Sequence, residues 1–213
     1  MGFDQSIGAE VKHQFLTMLQ LQDDMNSKVH PDWRQQGYAW YRAIWIECAE
    51  LMDHYGWKWW KKQQPDREQV ILELIDIWHF GLSALLQSES DTDKLSEYLG
   101  QAMSTPQVDG DFLQSVESFA QTVLVQRKFD AARFAGLLSL ADVSIDRLFQ
   151  SYVGKNVLNF FRQDRGYKDG TYIKVWHGRE DNVHLAEILS SLDMYSPSYK
   201  DDIYRALVDR YPA

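Results

Sequence analysis

The sequence predicts an all-α protein, a helical bundle with short decorations. Apolar residues recur at three- and four-residue spacing through most of the chain. No alternating apolar and polar run is long enough to support a sheet. Caps and breakers stand where the periodic stretches begin and end. No internal repeat or low-complexity tract interrupts the pattern, and residues 1–213 read as a single domain.

Val11, Phe15, Met18 and Leu19 define an amphipathic helix that stops before His30-Pro31. A second helix is predicted from Gly37 to Tyr55, with Gly56 ending it. The aromatic and basic segment Trp57-Lys58-Trp59-Trp60-Lys61-Lys62 follows, and Pro65-Asp66 opens a third helix with Asp66 as N-cap. That helix, from Val70 to Leu86, is apolar nearly all round, which predicts a central, buried element. Leu95, Leu99 and Met103 predict a fourth, halted at Ser104-Thr105-Pro106. Further helices are expected over 112–126, 130–161, 181–192 and 198–211, with Thr171 to Trp176 as the one extended candidate.

Composition excludes several classes. With 22 Lys plus Arg against 31 Asp plus Glu, the net charge is −9 and no basic run offers a nucleic-acid grip. No uninterrupted apolar run is long enough for a membrane span, and Met1 to Glu10 lacks the blocks of a signal peptide. Met1-Gly2 with Ser6 fits the loose myristoylation pattern, but an ordinary solvated start is expected. Cys48 is the only cysteine, which excludes an internal disulfide and points to a reducing, cytoplasmic location.

Glu47-Cys48-Ala49-Glu50 and Glu73-Leu74-Ile75-Asp76 each place two carboxylates on one helix face. Leu72, Ile77 and Phe80 flank the second pair, and Ala43 and Leu51 border the first. Core-facing carboxylates are costly unless compensated. No Lys or Arg stands between Asp53 and Lys58, or between Arg67 and Lys94. Two outcomes are open: the acids reach solvent or distant arginines, or they converge as an all-oxygen site suited to Mg²⁺ and a polyphosphate. Downstream, Ser151 to Gly178 carries Lys155, Arg162, Arg165, Lys168 and Lys174 against Asp164 and Asp169. Lys155, Asn159 and Arg162 share a helical face, able to hold phosphate oxygens or to form a plain solvated helix end.

Two rival readings stand beside this one. A di-iron bundle needs paired Glu-x-x-His motifs, whereas Asp76-x-x-His79 and a water-facing Glu10-x-x-His13 are the nearest approaches. A non-catalytic scaffold with exposed tryptophans leaves the acids and the basic segment unexplained.

The run Glu47 to Leu51, then Trp57-Lys58-Trp59-Trp60-Lys61 and Glu73 to Asp76, resembles the dimeric all-α dUTPases of the MazG-like NTP pyrophosphatase superfamily. Lys155-Asn156-Val157-Leu158-Asn159-Phe160-Phe161-Arg162-Gln163 extends the resemblance, with Gly166-Tyr167-Lys168, Gly170-Thr171-Tyr172, Lys174, Gly178 and Glu180-Asp181-Asn182 after it. The likeness covers roughly residues 15–80 and 150–190, leaving 88–150 without a counterpart. It implies a homodimer that hydrolyses dUTP, and by extension dUDP, to dUMP. Glu47, Glu50, Glu73 and Asp76 match Mg²⁺ ligands, with Glu50, beside Glu47, orienting or deprotonating the attacking water. Gln22 and Asn26 match uracil-reading amides, and Trp59 matches the aromatic that packs on the base. Lys155, Asn159, Arg162, Tyr167, Lys168, Lys174 and Asn182 match the phosphate-binding segment. A dCTPase or broader nucleotide pyrophosphatase would share the carboxylate quartet and differ in the base pocket.

Overall fold

The computed structural model describes residues 8–212; the Met1-Gly2…Ser6 pattern lies outside them. Helices α1 (Ala9–Val29), α2 (Trp40–Tyr55), α3 (Arg67–Ser88), α4 (Thr92–Ser104), α5 (Phe112–Gln126) and α6 (Ala131–Leu140) precede α7 (Ile145–Asp164). A two-stranded hairpin, β1 (Val175–Trp176) and β2 (Arg179–Glu180), leads into α8 (Asp181–Ser191) and α9 (Tyr199–Arg210). The fold is all-α, as the periodicity requires. It comprises two compact units, divided between Leu148 and Phe149.

In the first unit α3 is the central helix. Leu74, Ile75, Ile77, Trp78, Leu82 and Leu86 are fully buried, each worth ~1.5–3 kcal/mol or more relative to exposure. The helix is long and apolar enough to cross a membrane by composition, yet most of it is buried inside this unit. It starts where Asp66 accepts the Gln69 N–H at 3.2 Å, the expected cap. Trp78 anchors the core, with Phe134 stacked on it at 5.2 Å and Phe129 against its edge at 5.9 Å. Gly81 makes room for this: a Cβ there would lie 2.6 Å from the Phe129 ring.

Helix α2 runs antiparallel to α3. Trp40, at its start, stacks on Phe80, and His54 near its end accepts the Asp66 N–H at 2.9 Å. Gly56 closes α2 in the left-handed conformation. The second helix begins later than the spacing suggests, because Trp33–Gln36 form a 3₁₀ turn and Gly37 turns left-handed. The helix expected over 130–161 is two helices. Asp142 takes a left-handed φ of 54° and the Val143 N–H reaches back to Leu138 O, which terminates α6. Apolar periodicity continues through that corner, so it hid the break.

In the second unit Phe161, Tyr172, Trp176 and Tyr211 form an aromatic core. His177 and Gly178 both have positive φ, which fits a two-residue hairpin between β1 and β2. Only Val175 and Trp176 of the extended stretch pair as strand.

Candidate active site

The antiparallel packing of α2 on α3 brings Glu47 beside Glu73 and Asp76. One carboxylate oxygen from each lies within 4.8 Å of the others. Glu73 is buried and Glu47 and Asp76 are half-buried. Glu50, one turn along α2, is exposed and outside this tight group, but its charge still acts on Glu47 and Glu73. Burial, and then the charge of Asp76, pushes the Glu47 carboxyl up to about 8. Glu73 is raised for the same two reasons in the same order. The contact between the two side chains adds to the rise at Glu47 and opposes it at Glu73. His54 Nε2 stands 3.5 Å from Glu73 Oε1. Among the described residues no Lys or Arg pairs with Glu47 or Glu73. Glu47 and Glu73, unpaired with Lys or Arg among the described residues, form with Asp76 a hard-oxygen donor set, which a divalent cation fits.

Gln22 and Asn26, the amides expected to read a base, are buried against α3, 5% and 7% exposed. Ser83 Oγ accepts from both amides at 3.0 Å and donates to His79 O. Gln22 also donates to Asn26 Oδ1 at 3.1 Å, and its own oxygen lies 2.8 Å from His79 Nδ1. Ser83 is seven residues beyond Asp76 on the same side of α3, so the amides lie ~10 Å along the helix from the acids. Trp59 is elsewhere in its environment, 89% exposed with its edge on Trp60.

The second unit holds the basic segment. Lys155 is buried, while Tyr167, Lys168 and Lys174 are exposed. Arg162 is anchored by a buried acid. Its Nε and Nη2 bond the two oxygens of buried Asp181 at 2.8 and 2.9 Å, and Nη1 donates to Asn159 Oδ1 at 3.2 Å. Tyr172 donates to the same carboxylate at 2.8 Å. Lys174 pairs with Glu180 at 3.2 Å. Asn182 Oδ1 is buried without a hydrogen-bond partner.

Sequence reasoning missed Ser83, His79 and His54 as neighbours of the site, and Asp181 as the partner of Arg162. His79 was visible only as three residues from Asp76, and Asp181 as the middle of Glu-Asp-Asn. Ser83 carried no signal, since a serine in an apolar helix is ordinary.

An acidic centre on an antiparallel helical pair, with buried amides two turns away, defines an all-α enzyme acting on a small ligand. The family model described as dUTPase matches residues 14–167, and the chain belongs to that family. It is a dUTP diphosphatase, an enzyme of nucleotide metabolism. The match includes the acids, the amides and the first part of the basic segment; Lys168, Lys174 and Asn182 lie beyond it. Comparison with curated proteins finds no match.

Proposed function

We propose that the protein hydrolyses dUTP to dUMP and pyrophosphate with Mg²⁺, by attack of water on the α-phosphorus. The convergence of Glu47, Glu73 and Asp76 without a Lys or Arg pairing Glu47 or Glu73 carries this reading. These three, with Glu50, would hold the cation. When bound, Mg²⁺ supplies neutralisation of phosphate charge and acidifies coordinated water. Glu50, solvent-facing and outside the tight group, accepts the proton as the water oxygen bonds to the α-phosphorus. The bond from that phosphorus to the bridging oxygen breaks, and pyrophosphate leaves with the electron pair.

Gln22 and Asn26 read the uracil edge, which offers two acceptors and one donor, and Trp59 covers the base. Lys155, Asn159, Tyr167, Lys168, Lys174 and Asn182 bind phosphate oxygens, with Arg162 holding Asn159 in position. The reading takes 1–213 as a single nucleotide pyrophosphatase domain. The reading includes a homodimer, supported by Trp45 and Ile46, each 45% exposed side by side on α2. It also includes dUDP cleavage and a cytoplasmic location.

A panel of deoxynucleoside triphosphates, scored for pyrophosphate with Mg²⁺ and with EDTA, tests the reaction. dUTP should lead, and EDTA should abolish turnover. Orthophosphate release or full activity in EDTA would refute it. Gln22→Ala with Asn26→Ala should cost ~1–3 kcal/mol per lost buried hydrogen bond in transition-state binding. A double variant that keeps its preference for dUTP over dCTP removes the amides from base reading.

A further inference from the structure

A cavity of about 310 Å³ lies in the first unit, between the start of α2, the end of α3, α4 and the α5–α6 turn. It shares no residue with the acidic cluster or the amide network. Along α3 its lining reaches Ser88, twelve residues past Asp76, or ~18 Å of helix. Its walls are rings: Tyr38, Trp40, Tyr41, Tyr98 and Phe129. Trp40 is a fixed platform, stacked on Phe80 and bonded through Nε1 to Gln87 Oε1 at 2.6 Å. That bond leaves the Gln87 amide nitrogen as a donor on the lining.

The charges are unusual for so acidic a chain. Arg127 and Lys128 line the cavity, and no carboxylate does. The guanidinium groups of Arg127 and Arg42 both stand over Tyr41, at 5.7 and 5.6 Å from its ring centre. Among the described residues, none of Arg42, Arg127 and Lys128 forms an ion pair with a carboxylate. Arg127 is also held in the left-handed region, at φ 53°, where a glycine would sit without strain. That strained cap fixes the start of the turn that brings Lys128 and Phe129 to the cavity.

We propose that this cavity is a second binding site, for a nucleoside monophosphate, separate from the catalytic centre. The rings stack the base, as aromatic surfaces do with any nucleobase. The cations take the dianionic phosphate, Arg127 able to do so bidentately. The volume, at the small end of ligand pockets, suits a base, a sugar and one phosphate. Residues 88–150 thereby acquire a role: Tyr98, Arg127, Lys128 and Phe129 all come from them.

Titration calorimetry of the full chain in EDTA, with adenosine monophosphate as probe, tests the site. We expect one molecule bound per chain, at least tenfold weaker in Arg127→Gly/Lys128→Gln and in Tyr38→Ala. Arg127→Gly relieves the left-handed strain, so its fold is retained, and dUTP turnover should be unchanged in all these variants. Glu47→Gln, which disables turnover, should leave uptake intact. Four results would overturn the proposal: no heat at ~1 mM ligand; uptake indifferent to Arg127→Gly/Lys128→Gln; uptake lost instead in Gln22→Ala/Asn26→Ala; or inorganic phosphate binding as tightly as the nucleotide. A change of molecular mass in Arg127→Gly/Lys128→Gln would likewise overturn it, marking the face as a contact with a second copy.

Discussion

Glu47 on α2 and Asp181 at the start of α8 are both carboxylates withdrawn from water, and they titrate in opposite directions. Asp181 is fully buried, yet Arg162 and Tyr172 hold its carboxyl below the usual range against the cost of burial. Glu47 has more carboxylates for company and is pushed up to about 8. Burial opposes ionisation at both; the neighbours decide the outcome. A buried acid with its own guanidinium is finished by folding. Glu47 and Glu73, with no guanidinium of their own among the described residues, keep a demand for positive charge, which is what a site for an external cation requires.

The largest effect expected from this contrast is on stability. Asp181→Asn strands the Arg162 guanidinium, and breaking a buried pair costs ~3–5 kcal/mol. Chemical denaturation should register that loss with or without Mg²⁺; an unchanged midpoint would erase the distinction between the two regions. Glu73→Gln should act in the opposite sense, raising the melting temperature of the metal-free protein by removing a charge that burial and Asp76 disfavour. Its kcat should fall by ~100- to 1,000-fold, the scale of losing one electrostatic stabiliser. A Glu73→Gln protein that melts lower in EDTA would make Glu73 a structural acid like Asp181.

The smallest effect is the pH dependence, and its sign follows from Glu47. Its folded pKa is above the unfolded one, so its contribution to stability is full below the unfolded carboxylate range, ~4.3, and is lost as pH rises towards about 8. Mg²⁺ competes for the ionised form. The melting-temperature gain from Mg²⁺ should therefore be larger at pH 8 than at pH 5, and Glu47→Gln should flatten the metal-free slope. Equal gains at both pH values would mean that the acids are already ionised without metal.

Much of this protein was legible in one dimension. Helix α3 followed from unbroken apolar periodicity between the Asp66 cap and the polar Ser88, because burial on all sides needs no partner to be specified. Both Glu-x-x-Glu and Glu-x-x-Asp pairs were visible because i, i+3 neighbours share a face in any helix. Which faces meet is a property of packing, and local spacing is silent on it. Tertiary structure placed Glu47 in the tight group and left Glu50 outside it. It set Gln22 and Asn26 in a buried network closed by Ser83 and His79, each fifty-seven or more residues away in sequence from the amide it meets. It also committed Arg162 to Asp181 across a hairpin whose turn depends on left-handed backbone at His177 and Gly178. Helical periodicity and caps are local and survive in sequence; the charge balance of a buried site is set by side chains that only folding brings together.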